Sequence, residues 1–154
     1  MRFYFAYGAN MDVAGMARRC PEALALGPAR LDDRRFAIVH PGYATVIAAK
    51  GSCVHGVLWR LGSRDLVALD AFENIASGLY LRADMQIRQA ARSLRALTYF
   101  VREPRPGRVR PGYLEDCVLP AARHWGLPAN YISSIEAFRV APGTREPWRD
   151  TSPP

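Results

Sequence analysis

Short strand-to-strand connections constrain this chain more than any other feature. Phe36 to His40 and Ala44 to Ala48 read as strands separated only by Pro41-Gly42-Tyr43. Lys50-Gly51-Ser52 then stands between the second of these and Val54 to Arg60. Leu79 to Arg88 and Leu94 to Val101 form another closely spaced pair of strand candidates. Connections this short join antiparallel neighbours, whereas a parallel crossover needs about a dozen residues or more. Gly27 to Asp33 reads as a connecting segment, and Gly56, inside a strand pattern, implies a bulge or a close backbone neighbour. With the N-terminal strand, the pattern predicts about six strands and four helices. The fold class is therefore α+β around a curved or closed sheet, not a doubly wound parallel one.

The N-terminal stretch Arg2-Phe3-Tyr4-Phe5-Ala6-Tyr7 has high strand propensity and stops at Gly8-Ala9-Asn10. After Met11 the pattern becomes helical, with Asp12 as N-cap and Val13, Met16 and Ala17 at helical spacing. A strand that ends in a tight turn before a helix gathers unpaired backbone N–H groups, which suits a carboxylate or a phosphate.

Further along, Leu66, Leu69 and Phe72 mark a helix that Ser63 can cap, ending near Asn74, a residue that tolerates the left-handed conformation. Gly112 to Trp125 is a second helical stretch, in which Pro120 predicts a kink or an interruption. Tyr131, Ile132, Ile135 and Phe138 recur helically after Gly126-Leu127-Pro128. One domain is expected over residues 1–140, followed by a loosely ordered Pro-rich tail, 141–154.

The net charge of +7 comes almost wholly from arginine, since Lys50 is the only lysine. The densest run, Arg102 to Arg110, is broken by Pro and Gly and lacks interleaved aromatics, so it reads as a solvated loop and not as a nucleic-acid face. No apolar run reaches the length of a membrane span and the N-terminus does not resemble a signal peptide, which makes the cytoplasm the expected location. Cys20, Cys53 and Cys117, like His40, His55 and His124, are scattered without metal-ligand spacing, so reduced thiols and no metal site are expected. Cys53 and Cys117 read as small buried hydrophobes, Trp59 and Trp125 as core, and His55 as structural. No dinucleotide fingerprint, P-loop or nucleophile elbow occurs, and no cofactor is indicated.

Acidic residues are scarce, 14 against 21 basic ones. Glu73 lies at the end of the helix that carries Phe72. The negative end of the helix dipole and apolar neighbours both raise a carboxyl pKa there, towards a value useful for a general base. An exposed helix-end carboxylate is the alternative for the same position.

Four segments, in order over about residues 3 to 135, resemble the γ-glutamylcyclotransferase (AIG2-like) family. Tyr4-Phe5-Ala6-Tyr7-Gly8-Ala9-Asn10-Met11 is similar to its Y-G-S-N turn, and Val54-His55-Gly56-Val57-Leu58-Trp59 to the strand before its catalytic helix. Leu69 to Tyr80 resembles its L-D-x-x-E-G-x-x-S-G-x-Y signature, and Gly112-Tyr113 through Tyr131 its final helical region. Ala9 stands where the family has serine, and Asn74 where it has glycine. The resemblance implies a small mixed or antiparallel β-barrel with flanking helices. It also implies Glu73 as general acid/base, with Tyr7, Gly8, Ala9, Asn10, Tyr80 and Tyr113 shaping a pocket for a small γ-glutamyl substrate. The implied reaction is intramolecular: the substrate α-amine attacks the γ-glutamyl amide, releasing 5-oxoproline and a free amine or amino acid, with no metal or redox cofactor.

Two other readings stay open at this point. One is a relative that removes γ-glutamyl from a specialised amine, its selectivity set by loops such as Arg102 to Arg110. The other is a non-catalytic protein that binds a small anion on the same fold. The particular γ-glutamyl compound and the oligomeric state are not specified by the pattern.

Overall fold

In a computed structural model, residues 1–139 are described; the expected tail, 141–154, lies outside them. Five strands close into a barrel in the order β1-β3-β2-β4-β5. These are β1 (Arg2–Ala6), β2 (Leu24–Val39), β3 (Tyr43–Leu61), β4 (Tyr80–Gln89) and β5 (Arg92–Val101). All neighbours are antiparallel except β1 and β5, which meet in parallel at Tyr4 and Leu97 and close the ring. The helices α1 (Val13–Arg19), α2 (Asp65–Phe72), α3 (Leu119–His124) and α4 (Ala129–Glu136) flank the barrel. The mixed barrel expected from the resemblance is the one observed.

The strand count is five and not the expected six because Lys50-Gly51-Ser52 does not turn the chain, and a second misread stretch lengthens β2. Gly27 to Asp33, expected as a connection, lies inside β2, and Lys50-Gly51-Ser52 lies inside β3. Both carry locally irregular backbone. Gly27, Asp33 and Gly51 have positive φ (102°, 57° and 83°), and the β2–β3 register shifts between Ala25 and Gly27 and again between Asp32 and Arg34. The Gly51 N–H donates to Asp33 Oδ1 at 2.9 Å across the second bulge. Bulges absorb the extra residues while pairing continues on either side, so one long hairpin replaces three short elements.

Local signals elsewhere hold. Asp12 caps α1, accepting the Gly15 N–H at 2.8 Å. Asn74 takes the left-handed conformation (φ 52°, ψ 50°) that ends the turn after α2. Pro120 sits at the start of α3, where a π-helical turn over Tyr113–Val118 gives way to α-helix, so the expected interruption falls at that junction. Ser63 does not cap α2, whose start has no side-chain cap bond; the buried Asp65 carboxylate instead accepts the Gly62 N–H at 2.7 Å and braces the turn before the helix.

The core takes Phe5, Leu58, Ile87 and Leu97 from the strands and Met11, Met16, Leu69, Leu114 and Ile135 from the turns and helices, all fully buried. Trp59 belongs to this core. Trp125 is half-buried and donates its indole N–H to Met11 O at 2.8 Å, tying α3 to the turn after β1. Cys20 is buried, whereas Cys53 and Cys117, expected to be buried, are half-exposed; all three are free thiols. His55 packs edge-on against Tyr131, ring centroids 4.9 Å apart, in keeping with a structural role. Among the described residues no helix is long and apolar enough to cross a membrane.

Candidate active site

β1 ends at Ala6, and the chain runs through Tyr7 and Gly8 into a single 3-10 turn, Ala9–Met11. Inside that turn the Met11 N–H bonds to Gly8 O and the Asp12 N–H to Ala9 O. The leading N–H groups have no acceptor within a turn this short, as at any helix start. A Cβ at position 8 would lie 2.8 Å from the Tyr113 hydroxyl, so a larger residue there would displace that side chain. The turn faces the end of α2, which delivers Glu73, and together they border a cavity of about 410 Å³.

All seven expected site residues line that cavity: Glu73, Tyr7, Gly8, Ala9, Asn10, Tyr80 and Tyr113. Tyr4, Tyr43 and Tyr99 complete an aromatic wall that the sequence reading missed, with Phe72 and Leu79 at the rim. Tyr4 and Tyr99 meet edge to face at 5.8 Å, and Tyr43 and Tyr113 at 5.4 Å. Alternation along β1 puts Tyr4 and Ala6 on one face and was available as a signal for Tyr4. No local pattern marks Tyr99, which arrives from β5, 92 positions after Tyr7, to accept its hydroxyl proton at the backbone carbonyl (2.6 Å).

The carboxyl of Glu73 is held from one side. Asn10, a buried amide, donates from Nδ2 to Glu73 Oε1 at 3.2 Å and to the Tyr4 hydroxyl at 3.0 Å. Arg19 fixes which way that amide points, because its Nε and Nη2 donate to Asn10 Oδ1 at 3.0 and 2.6 Å. A carbonyl oxygen that already accepts two guanidinium bonds leaves the amide NH₂ to face the carboxylate. The same guanidinium lies 4.1 Å from the Phe72 ring centroid, so α1 is braced against the end of α2.

Burial is the larger influence on Glu73 and raises its pKa from the ordinary 4.5 to about 7; the Arg19 charge pulls it the other way. The phenols of Tyr7, Tyr80 and Tyr113 are each pushed well up, mainly by burial, and stay neutral. The arrangement is a half-buried carboxyl poised to gain or lose a proton near neutrality, in an aromatic cavity with neutral hydroxyls.

Arg19 is absent from the sequence reading, where it counted only towards the net charge. Its electrostatic part is testable without any substrate. In Arg19→Ala the Glu73 titration midpoint, about 7 in the native protein, should move to higher pH, and carbon-detected NMR of the side-chain carboxyl reads it directly. An unchanged or lower midpoint would show that the carboxyl does not sense the guanidinium.

Among the described residues no His, Cys, Asp and Glu cluster could hold a metal ion.

Comparison with known proteins shows what the chain is similar to. Human γ-glutamylcyclotransferase is 27% identical over 146 residues, spanning 88% of this chain and 77% of the relative. The bovine protein of the same name is 28% identical over 147 residues, spanning 86% and 78%. A solved structure titled γ-glutamyl cyclotransferase superposes with a TM-score of 0.83 at 24% identity, covering 94% of this chain and 92% of that one. The family model described as γ-glutamyl cyclotransferase, AIG2-like, matches residues 4–117, from β1 through the π-helical turn. The chain belongs to the γ-glutamylcyclotransferase, AIG2-like family.

Proposed function

We propose that the protein cyclises γ-glutamyl amides, releasing 5-oxoproline and the leaving amine, with Glu73 as general acid/base. The observation that carries this reading is the half-buried Glu73 carboxyl, its pKa raised to about 7, at the wall of a cavity large enough for a small substrate. The names of the human and bovine relatives point to the same reaction class.

The chemistry asks little of the protein. A γ-glutamyl amide carries its own nucleophile, so folding the substrate until the α-nitrogen approaches the γ-carbonyl replaces a bimolecular encounter by a ring closure. The aromatic wall supplies that confinement. Tyr7 and Tyr80 donate their hydroxyl protons to the carbonyls of Tyr99 and Ala44 (2.6 and 2.9 Å), which leaves oxygen lone pairs for a donor such as the substrate ammonium. Glu73, as carboxylate, takes one proton from the α-ammonium, which frees the lone pair that forms the new C–N bond. As the old C–N bond breaks, Glu73 passes that proton to the departing nitrogen, and the second proton shed by the ring nitrogen leaves with the amine or to solvent. The leading N–H groups of the Gly8–Asn10 turn are suited to the substrate α-carboxylate or to the oxyanion formed at the γ-carbon. Ala9, in place of the family serine, contributes backbone only.

The pH dependence follows from the required protonation states. Glu73 must start ionised, so kcat/KM should rise with pH along a limb centred near the carboxyl's pKa of about 7. Activity falls again where the substrate ammonium loses its proton, giving a bell. A profile flat from pH 5 to 8 would remove Glu73 as the base. The direct experiment is to measure release of 5-oxoproline from a panel of γ-glutamyl amino acids, peptides and amines. Release from none would favour the non-catalytic anion-binding reading.

A further inference from the structure

A second cavity, of about 380 Å³, opens next to the Glu73 cavity. Leu79 lines both, and the consecutive residues His40 and Pro41 line one each. Three charged side chains border the second cavity: Arg102, Glu103 and Arg105. These belong to the run that reads in sequence as a solvated loop.

The loop is fastened to the tip of the long hairpin. The His40 N–H donates to Arg105 O at 2.9 Å, the Arg110 N–H to Gly42 O at 3.1 Å, and the Arg102 N–H to Leu79 O at 3.2 Å. Val39 and Pro106 form a β-bridge, and Gly107 packs so closely on the His40 backbone that a Cβ could not be accommodated. The cationic trough therefore has a defined place, one side chain's width from the reaction cavity. Among the described residues the ion pairs involve other arginines, and none neutralises Arg102 or Arg105. Two guanidinium groups against one carboxylate leave the trough net positive.

We propose that this trough is a subsite for an acidic group, a carboxylate, carried on the leaving portion of the substrate. Arg102 and Arg105 bind it, and Leu79 is the sill over which the leaving portion passes. The inference rests on the Glu73 cavity being the reaction site. It assigns the arginine loop to substrate selection, favouring γ-glutamyl compounds whose leaving amine bears a carboxylate over those with a neutral one. Guanidinium groups suit the task because they pair with carboxylates through two parallel N–H bonds.

The test uses γ-glutamyl derivatives of glycine, β-alanine and 4-aminobutyrate, each beside its carboxamide, with native protein and the double variant Arg102→Gln/Arg105→Gln. These side chains are exposed and the loop's anchoring bonds are backbone ones, so the double variant keeps the fold. At one chain length or more, native protein should prefer the acid by about tenfold in kcat/KM, expressed in KM and reduced at about 0.5 M salt. In the double variant that preference should vanish while turnover of the carboxamides is unchanged. Glu103→Gln should widen it. Equal use of acid and carboxamide at every length, a preference that survives in the double variant, or loss of carboxamide turnover along with it overturns the subsite and leaves the proposed reaction standing. No 5-oxoproline from any of the six compounds with native protein overturns both.

Discussion

Glu73→Gln is expected to lower turnover of γ-glutamyl substrates by about two to four orders of magnitude, the usual contribution of a positioned general base. The fold should be retained. Glutamine keeps the oxygen that accepts from Asn10 Nδ2, so the Arg19–Asn10 brace survives and only proton transfer is lost. KM should change little, because the neutral amide still fills its place in the cavity wall.

The same variant has an opposite signature in stability. In the native protein the carboxyl pKa is raised from 4.5 to about 7 on folding. The folded state therefore holds the proton more tightly, and stability falls as pH rises from about 4.5 through about 7, staying reduced above that. A shift of this size corresponds to at most about 3 kcal/mol. Glutamine has no proton to lose. Glu73→Gln should thus melt higher than native protein at pH 8 and equal to it at pH 4.5, which thermal unfolding at both values checks. A variant that is less active and more stable, in that pH window alone, marks a site strained for its chemistry.

Gly56→Ala should have the largest effect on the fold, about 3 kcal/mol or more. Gly56 lies in β3 where β1 crosses closest, and an added Cβ would overlap the carbonyl oxygen of Ala6 and sit 2.8 Å from the Phe5 ring. Neither neighbour can yield. Ala6 is paired to Val57 in the β1–β3 ladder, and Phe5 is fully buried in the core. The one relief is to displace β1, and β1 closes the barrel on both sides and leads into Tyr7 and Gly8. A urea midpoint lowered with unchanged slope would report the lost stability. Native-like stability would mean that β1 and β3 part more readily than their pairing implies.

Much of the fold was legible because its signals are local. Asp12 as a cap, Asn74 at the left-handed position and Pro120 at a helical junction each need only a few neighbours to act. Gly56 was legible as a close approach, though not what approaches it. The misread stretches, Gly27 to Asp33 and Lys50 to Ser52, carry true backbone irregularities. What the sequence could not display is that Asp33 faces Gly51 and Gly27 faces Leu58, so the bulges are stitched into one hairpin. The site divides the same way. Residues within the turn after β1 and the segment after α2 were found through the pattern they share with a family. Arg19 and Tyr99 were not, since no local pattern marks the contacts through which they act: a guanidinium on an amide oxygen, and a backbone carbonyl on a phenol.

The tip of the β2–β3 hairpin does two jobs on two faces. Pro41, Tyr43 and Ala44 wall the Glu73 cavity, while His40 and Gly42 hold the arginine loop by backbone bonds. Glu73, the proposed acid/base, is delivered from elsewhere, by the end of α2. Division of labour of this kind makes the protein modular for re-engineering. Loop side chains at 102, 103 and 105 can be varied as a library, with their backbone moorings kept, and neither the carboxyl nor its Asn10–Arg19 brace is touched. Diversification of what departs, at constant chemistry, is the evolutionary freedom such a layout leaves open.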